Sequence, residues 1–150
     1  ATSTPGDLEA RLNMMSASMQ GALAFQKGLG CVHSLSHSMG GLSPRLHHGT
    51  LNAILLPAVI RFNASAPSMQ KDERLARMAQ AMGVGGADDV APAVTAMNRR
   101  LGLPTGLRDI DVSPEIFPRV IEGALKDHCH KTKTREASPE DYQAMLMTSM

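Results

Sequence analysis

Residues 28–63 decide the fold, and they read GLGCVHSLSHSMGGLSPRLHHGTLNAILLPAVIRFN. His33 and His37 are four residues apart, a spacing that places both imidazoles on one face of an α-helix, one turn from each other. The run from Met39 to Pro44 holds two glycines and a proline, so the chain is expected to turn there. After a second pair of histidines, apolar residues follow at helical spacing: Leu51, Ile54, Leu55, Ala58, Val59 and Phe62. The prediction is helix, loop, helix, with imidazoles at the junction.

Outside this stretch, the pattern of apolar residues also predicts helices. Leucines and methionines recur at intervals of 4, 3, 4 and 4 over residues 7–27, and the methionines there are expected to fill the core (Met14, Met15 and Met19). Further helices are predicted over residues 31–39, over 48–63 with a kink or a restart at Pro57, over 69–82 and 88–101, and onward from Pro114 and Pro139. No segment alternates with the period of a β-strand. The predicted fold class is therefore all-α, a bundle of six to seven helices forming one domain over residues 1–150.

The composition excludes several classes of partner. The formal net charge is +1, 3% of the 150 residues are aromatic and no block of like charge occurs, so neither nucleic acid nor a membrane surface is an expected partner. No apolar run approaches the roughly 20 residues that span a bilayer, and no signal peptide is recognised. Cys31 and Cys129 lack metal-type spacing and predict reduced thiols in the cytoplasm. The basic cluster at residues 126–135 is expected to be a solvated face.

From spacing alone, two interpretations of the histidines stay open. Imidazole is a common ligand of first-row metals, and imidazoles that converge from two helices would form a site. A histidine also caps helices or forms hydrogen bonds without any metal. Ser34 follows His33 where the H-E-x-x-H motif of metalloproteases has its glutamate, so that class of zinc hydrolase is excluded.

Resemblance to a family narrows the choice. The runs GLGCVHSLSHSMGG and HHGTLNAILLPAVIRFN closely resemble the signature of iron-containing alcohol dehydrogenases, the group that includes lactaldehyde reductases and butanol and propanediol dehydrogenases. The pattern of that family is G-L-G-x-x-H-x-x-x-H-x-x-G-x, a short loop, and H-G-x-x-N-A-x-L-L-P. The matching positions are Gly28, Leu29, Gly30, His33, His37, Gly40, His48, Gly49, Asn52, Ala53, Leu55, Leu56 and Pro57.

The resemblance implies a metal site and a redox reaction. His33 and His48 would be ligands of Fe2+, or of Zn2+, and His37 would stand beside the metal near the nicotinamide and the substrate, for orientation or proton relay. The metal would act as a Lewis acid on the oxygen of a small alcohol or aldehyde while hydride passes between the substrate and NAD(P). The choice of His48 over His47 rests on the glycine and asparagine that follow in the signature.

The resemblance extends loosely to the C-terminus. There Cys129 and residues 135–141 are similar to the closing segment of the family. Lys133 and Thr134 replace the Asn-Pro that usually precedes the arginine of that segment, so no role is assigned to them. Some relatives place a cysteine near the substrate pocket at the position of Cys129, and a small buried side chain is the other interpretation.

Other parts of the family pattern are not found in the sequence. Family members are longer and carry an N-terminal nucleotide-binding domain, and Gly83–Gly86 follows a predicted helix rather than a strand, so it is not a phosphate-binding loop. The other two metal ligands, an Asp and a His, would also lie upstream of Ala1. The chain is therefore interpreted as an N-terminally truncated, dehydroquinate synthase-like metal-binding domain, inactive alone, from an enzyme that forms a homo-oligomer. A glycerol dehydrogenase or a maleylacetate reductase of the same superfamily and a stand-alone helical binding module are the alternatives.

Overall fold

The computed structural model describes every residue from Ala1 to Met150 and contains helices and no β-strand, which confirms the prediction of an all-α fold. The eight α-helices are α1 (Leu8–Phe25), α2 (Cys31–Leu42), α3 (His48–Asn63), α4 (Pro67–Lys71), α5 (Arg74–Met82), α6 (Val90–Arg100), α7 (Phe117–Lys126) and α8 (Pro139–Thr148). Short 3-10 segments lie at Ala87–Asp89, Leu107–Ile110, Pro114–Ile116 and His128–Thr132. None of the helices has the length and the apolar character that crossing a bilayer requires.

Helix α2 is longer than predicted, because it continues through Gly40 and Gly41 and ends only at Leu42. The expectation that these glycines would end the helix is wrong. Met39 is fully buried beside them, and burying such a side chain contributes about 1.5–3 kcal/mol, more than the roughly 0.5–1 kcal/mol that one helical glycine costs. The turn between the two histidine pairs is therefore confined to residues 43–47.

Helix α3 runs unbroken through Pro57. A proline inside a helix has no N–H to donate to the carbonyl four residues earlier, which here belongs to Ala53. The buried side chain of Asn98, on α6, fills this gap, because its Nδ2 donates to the Ala53 carbonyl oxygen at 2.8 Å. The lost backbone bond is thus replaced by a contact between two helices, and α3 does not restart at the proline.

The predicted helix over residues 69–82 is two helices, α4 and α5, which accounts for one more helix than expected. The break falls at Asp72 and Glu73, and Glu73 adopts the left-handed conformation with φ 48°. Residues with a side chain rarely adopt this conformation. The apolar pattern of the segment gave no sign of the break, because the apolar residues at helical spacing, Leu75, Met78 and Met82, all lie after it in α5.

The main core is built by helices α2, α3, α7 and α8. Its largest fully buried side chains include Tyr142 of α8, Phe117 of α7 and Leu55 of α3. A smaller cluster joins α3 to α5 and α6 through Ile60, Ala79, Val90, Ala91 and Val94. Helices α2 and α3 are therefore fixed on several sides, and they carry the histidines of the signature.

Helix α1 packs differently from the prediction. No residue of α1 is buried, and its apolar side chains are exposed, from Leu8 at 80% to Phe25 at 54%. The prediction that Met14, Met15 and Met19 fill the core is wrong. Spacing along a helix shows that one face is apolar, but it does not show that the same chain provides a surface to cover that face.

The basic cluster at residues 126–135 is only partly solvated, so the prediction of a solvated face is corrected. The Nδ1 atom of His130 lies 2.8 Å from the hydroxyl of the buried Tyr142. The side chain of Lys133 is 8% exposed and pairs with Glu136 at 3.0 Å. Arg135 lies over the Phe62 ring, 4.1 Å from its centroid. These contacts hold the segment between α7 and α8 against the body of the protein.

Candidate metal centre

Three imidazoles meet where α2 and α3 pack together. His33 and His37 lie on one face of α2, and His48 is the first residue of α3. The ring centroids are 5.2 Å apart for His33 and His48, 5.3 Å for His37 and His48, and 5.6 Å for His33 and His37. We call these three residues the histidine triangle. His33 and His37 are half-buried and His48 is exposed, so the triangle opens to the surface.

His47 does not belong to the triangle. It is the N-cap residue of α3, where its Nδ1 accepts from the Thr50 backbone N–H at 3.4 Å. Capping satisfies a backbone donor that the first turn of a helix leaves without a partner. The two adjacent histidines therefore have different surroundings, one bound to its own helix and one facing α2.

Asn52 lies between two of the imidazoles. Its Nδ2 atom is 3.0 Å from His48 Nε2 and 3.4 Å from His33 Nε2. Both Nε2 atoms therefore face one point, although the rings come from two helices. The Oδ1 atom of Asn52 is buried without a hydrogen-bond partner. Asn52 matched the family signature, but no contact of its side chain with the imidazoles was predicted.

The surroundings of His33 favour its neutral imidazole. Burial lowers the pKa of His33, and the neighbouring His48 and His37 lower it further. A neutral imidazole keeps one nitrogen lone pair, which metal binding requires. On the other side of the His48 ring, Nδ1 lies 3.4 Å from the hydroxyl oxygen of Ser36. That contact fixes the orientation of the ring.

Asp127 contacts the third imidazole from the far end of the chain. Its Oδ2 atom is 3.1 Å from His37 Nδ1, across 90 residues of sequence. Burial raises the pKa of Asp127, but the Cys129 backbone N–H, which donates to Oδ1 at 2.7 Å, and the contact with His37 outweigh this, so the pKa lies below its usual value. The carboxylate is charged at neutral pH and orients the His37 ring. Asp127 was not among the predicted site residues.

Cys129 lies next to this pair and is 1% exposed. Its sulfur is 3.3 Å from His128 Nε2. Burial and the adjacent Asp127 carboxylate raise the pKa of the thiol to about 11. Cys129 is thus a small buried side chain beside Asp127, and its place near a substrate stays a prediction.

The donor set of the triangle fits a divalent metal. Two Nε2 atoms from separate helices face a common point, and the partner they share is a single amide nitrogen. First-row metals bind such imidazole nitrogens readily. Two nitrogens do not complete the four ligands that Zn2+ prefers, so any metal here needs further ligands. A cavity of about 590 Å³ lies elsewhere and is bordered by His47 and by none of the three triangle residues.

Comparison with known proteins identifies the family to which the chain is similar. The model of the C-terminal part of the Fe-containing alcohol dehydrogenase family matches residues 1–150. The 4-hydroxybutyrate dehydrogenase of Cupriavidus necator is 60% identical over 154 residues, covering 100% of this chain and 40% of that protein. The lactaldehyde reductase of Escherichia coli K12 is 35% identical over 153 residues, covering 98% of this chain and 40% of that protein.

Solved structures agree in fold. A crystal structure of a 1,3-propanediol oxidoreductase superposes with a TM-score of 0.86 at 33% identity, covering 97% of this chain and 39% of the other. An alcohol dehydrogenase from Oenococcus oeni gives a TM-score of 0.87 at 30% identity, covering 96% of this chain and 39% of the other. The chain spans about two fifths of the length of the curated relatives it matches.

Proposed function

Since the chain belongs to the Fe-containing alcohol dehydrogenase family, as its C-terminal domain, we propose that it forms one wall of the active site of an enzyme that transfers hydride between an alcohol or aldehyde and NAD(P). The observation that carries this proposal is the histidine triangle, in which three signature imidazoles lie within 5.6 Å of one another. The relatives named above are dehydrogenases and reductases, which supports the class of reaction.

In this proposal, His33 and His48 hold the metal through their Nε2 atoms, with Fe2+ favoured by the family and Zn2+ as the alternative. When bound, the metal supplies a Lewis acid that polarises the substrate oxygen and lowers the pKa of an alcohol. The shared contact with Asn52 supports this assignment, because it shows that both nitrogens face one place.

His37 is proposed as the group that accepts the alcohol proton. Hydride leaves an alcohol carbon readily only as the hydroxyl proton departs, so a base must stand near the hydroxyl. Asp127 holds Nδ1 of His37 and stabilises the imidazolium that forms when Nε2 takes the proton. His37 also lies near the nicotinamide in this proposal, and Asp127 is a positioning residue.

Residues 1–150 form a single helical metal-binding domain in this proposal, and the nicotinamide site lies outside them. The remaining metal ligands and the nucleotide-binding domain belong to the part of a family member that this chain does not span, so the chain alone is expected to be inactive. The complete enzyme is proposed to be a homo-oligomer. The thiols of Cys31 and Cys129 are both free, which supports a reducing, cytoplasmic setting.

The substrate is proposed to be a short alcohol that carries a carboxylate, such as 4-hydroxybutyrate. The support is the 60% identity to the Cupriavidus necator protein that bears this substrate in its name. Glycerol and maleylacetate represent the other activities of the superfamily. Assaying the full-length enzyme with 4-hydroxybutyrate, 1,3-propanediol, glycerol and maleylacetate separates these substrates, and a preference for glycerol or maleylacetate would refute the assignment.

A stand-alone binding module is the second candidate function. The exposed apolar face of α1 favours it, since such faces often contact partners. The two candidates differ in one measurement. A dehydrogenase loses activity when the triangle is changed, whereas a binding module has no hydride transfer to lose.

The test of the proposed function compares two adjacent histidines in the full-length enzyme. His48→Ala is expected to lower metal content and abolish activity, since it removes a ligand. His47→Ala is expected to keep the metal and most of the activity, because His47 caps α3, and loss of a cap costs about 0.5–2 kcal/mol of stability. Metal analysis of purified protein beside steady-state assays decides between them. The opposite result would place the ligand at His47 and refute the assignment.

A further inference from the structure

A second group of potential ligands shares His37 with the histidine triangle. It consists of His37, Asp127, His128 and Cys129, whose ligand atoms all lie within 4.8 Å of one another. We propose that these four side chains form a distinct binding site for Zn2+, which we call the thiol site. It contains neither His33 nor His48, and it contains the one sulfur ligand near the triangle. The two sites therefore use separate ligands and can be emptied separately.

The distances within the thiol site suit a tetrahedral ion. Bonds of about 2.0–2.3 Å place tetrahedral ligand atoms roughly 3.3–3.8 Å apart. Two pairs are already close to this spacing, with His37 Nδ1 at 3.1 Å from Asp127 Oδ2 and His128 Nε2 at 3.3 Å from Cys129 Sγ. Binding therefore requires only a small adjustment, because all four ligand atoms already lie within 4.8 Å of one another.

One ligand of the thiol site, His128, can move, whereas the other ligands are held in place. The side chain of His128 is 81% exposed, so its ring can swing at little cost. Asp127 is fixed by the Cys129 backbone N–H, which donates to Oδ1 at 2.7 Å and leaves Oδ2 for a metal. His37 is held by α2, whose inner face packs in the core. The site can therefore close around an ion when the His128 ring moves towards the other three ligands.

An ion can reach the sulfur without opening the core. Cys129 and His128 border a cavity of about 250 Å³, which the chain between Phe25 and Leu29 lines on another side. Zinc binding displaces the thiol proton to solvent and leaves a thiolate on the metal. The Asp127 carboxylate and this thiolate together balance the two positive charges of the ion. The thiol site is thus accessible and electrically matched to a divalent cation.

The ligand chemistry selects zinc over the metal of the triangle. Thiolate is a soft ligand that favours Zn2+, whereas the facing nitrogens of the triangle suit several first-row metals. A consequence rests on the proposed function: Zn2+ at the thiol site occupies both His37 and Asp127, so it inhibits the enzyme without displacing the metal from His33 and His48.

The experiment uses the 150-residue chain, freed of metal, with Co2+ as the optical probe for zinc. One equivalent of Co2+ is expected to give the absorption of a cobalt–thiolate bond, and Zn2+ is expected to abolish it by competition. Cys129→Ser should remove the absorption, and Cys31→Ser is the matched control that keeps it, because Cys31 lies outside the cluster. His128→Ala should weaken binding about tenfold or more, as loss of a metal-site residue commonly does.

The outcomes separate this proposal from the proposed function. The double change of His33 and His48 to alanine should leave the cobalt–thiolate absorption intact. Absence of that absorption in the unchanged chain, or its survival in Cys129→Ser, would refute the thiol site. Circular dichroism of each variant checks that the helices remain, and the exposed position of His128 gives a variant expected to fold. In the full-length enzyme, zinc inhibition measured against the zinc-free rate of the same variant should weaken in His128→Ala.

Discussion

Asp127 is the residue on which the contacts around His37 depend. One carboxylate oxygen faces His37 at 3.1 Å and the other accepts from the Cys129 backbone N–H at 2.7 Å. The same charge raises the pKa of the Cys129 thiol, because a thiolate beside a carboxylate is repelled. A change at Asp127 should therefore be detected at the thiol, without any assay of catalysis.

Alkylation of Cys129 by iodoacetamide tests this coupling. With the pKa of its thiol raised by burial and Asp127 to about 11, about one thiol in a thousand is ionised at pH 8. In a Cys31→Ser background the rate should therefore be slow at pH 8 and should still be rising at pH 10. Asp127→Asn lowers the thiol pKa towards its usual value and should speed the reaction at pH 8.

Mass spectrometry of the labelled protein gives these rates. The urea-unfolded chain is the control, since its thiols ionise near their ordinary pKa. A rate in the folded chain that levels off between pH 8 and 9 would mean that neither burial nor Asp127 acts on the thiol as described.

At the scale of elements, the packing of α2 on α7 depends on a glycine. Ser38 of α2 donates from its hydroxyl to the Val120 carbonyl oxygen at 2.8 Å. A Cβ at Gly123 of α7 would overlap the Ser38 side chain. Because α2 carries two of the triangle histidines, this contact also sets the distance of the triangle from Asp127, which follows α7.

Gly123→Ala is expected to destabilise the protein by about 1–3 kcal/mol, the usual cost of an added group in a packed interface. Gly40→Ala is the matched control. Gly40 is also helical, and a Cβ there meets nothing within 4 Å, so alanine should stabilise by about 0.4–1 kcal/mol. Urea unfolding of both variants measures the difference. Equal effects of the two changes would mean that Ser38 gives way.

The break between α4 and α5 leads to another prediction. Glu73 is exposed and has φ 48°, in the left-handed region. Glu73→Gly should raise the free energy of unfolding by about 0.5–1 kcal/mol, because the strain of a side chain there exceeds the entropy that glycine adds. Gly83, with φ 68° and open space around it, is the converse control: Gly83→Ala should lower stability by about 1–2 kcal/mol.

Thermal melts of both variants test the signs. A loss of stability in Glu73→Gly, beside the expected loss in Gly83→Ala, would mean that the Glu73 side chain makes contacts that outweigh its backbone strain.

Most elements could be predicted from the sequence, because helical spacing and caps are local signals. The helix predicted onward from Pro139 is α8, and Ser138 with Asp141 starts it by a capping box that spans only four consecutive residues. The errors arose where distant residues decide. Asn98 replaces the bond lost at Pro57, and it lies 45 residues from its acceptor. A sequence pattern shows the missing donor but not the side chain that compensates for it.

The residues of the candidate site also divide into those that the sequence could predict and those that it could not. His33, His37 and His48 could be found because they lie in one short signature whose spacing places two of them on a single helix face. Asp127 could not, since it meets His37 only after 90 residues of chain have folded. The signal that remained was its place two residues before Cys129, in the segment with the looser resemblance.

At the scale of the whole molecule, the helices differ in how much of their surface is packed against other helices. The main core joins α2, α3, α7 and α8, whereas α1 buries no residue. An α-helix of 18 residues without packing is marginal in water, because helical stability in proteins comes mostly from packing of the apolar face. The sequence showed an apolar face on α1, and only the structure shows that the other helices leave it open.

Hydrogen exchange should reproduce this difference. Backbone amides of α1 are expected to exchange near the rate of an unstructured peptide, while those of α2, α3 and α7 should be the slowest in the molecule, because their opening requires the core to unfold. Leu12→Lys, on the exposed face of α1, should change the free energy of unfolding by less than about 0.5 kcal/mol. Leu55→Ala in the core is the contrasting variant and should cost about 2–5 kcal/mol. Protection of α1 equal to that of α2, unchanged on dilution, would show that α1 is held within the single chain and would contradict this account.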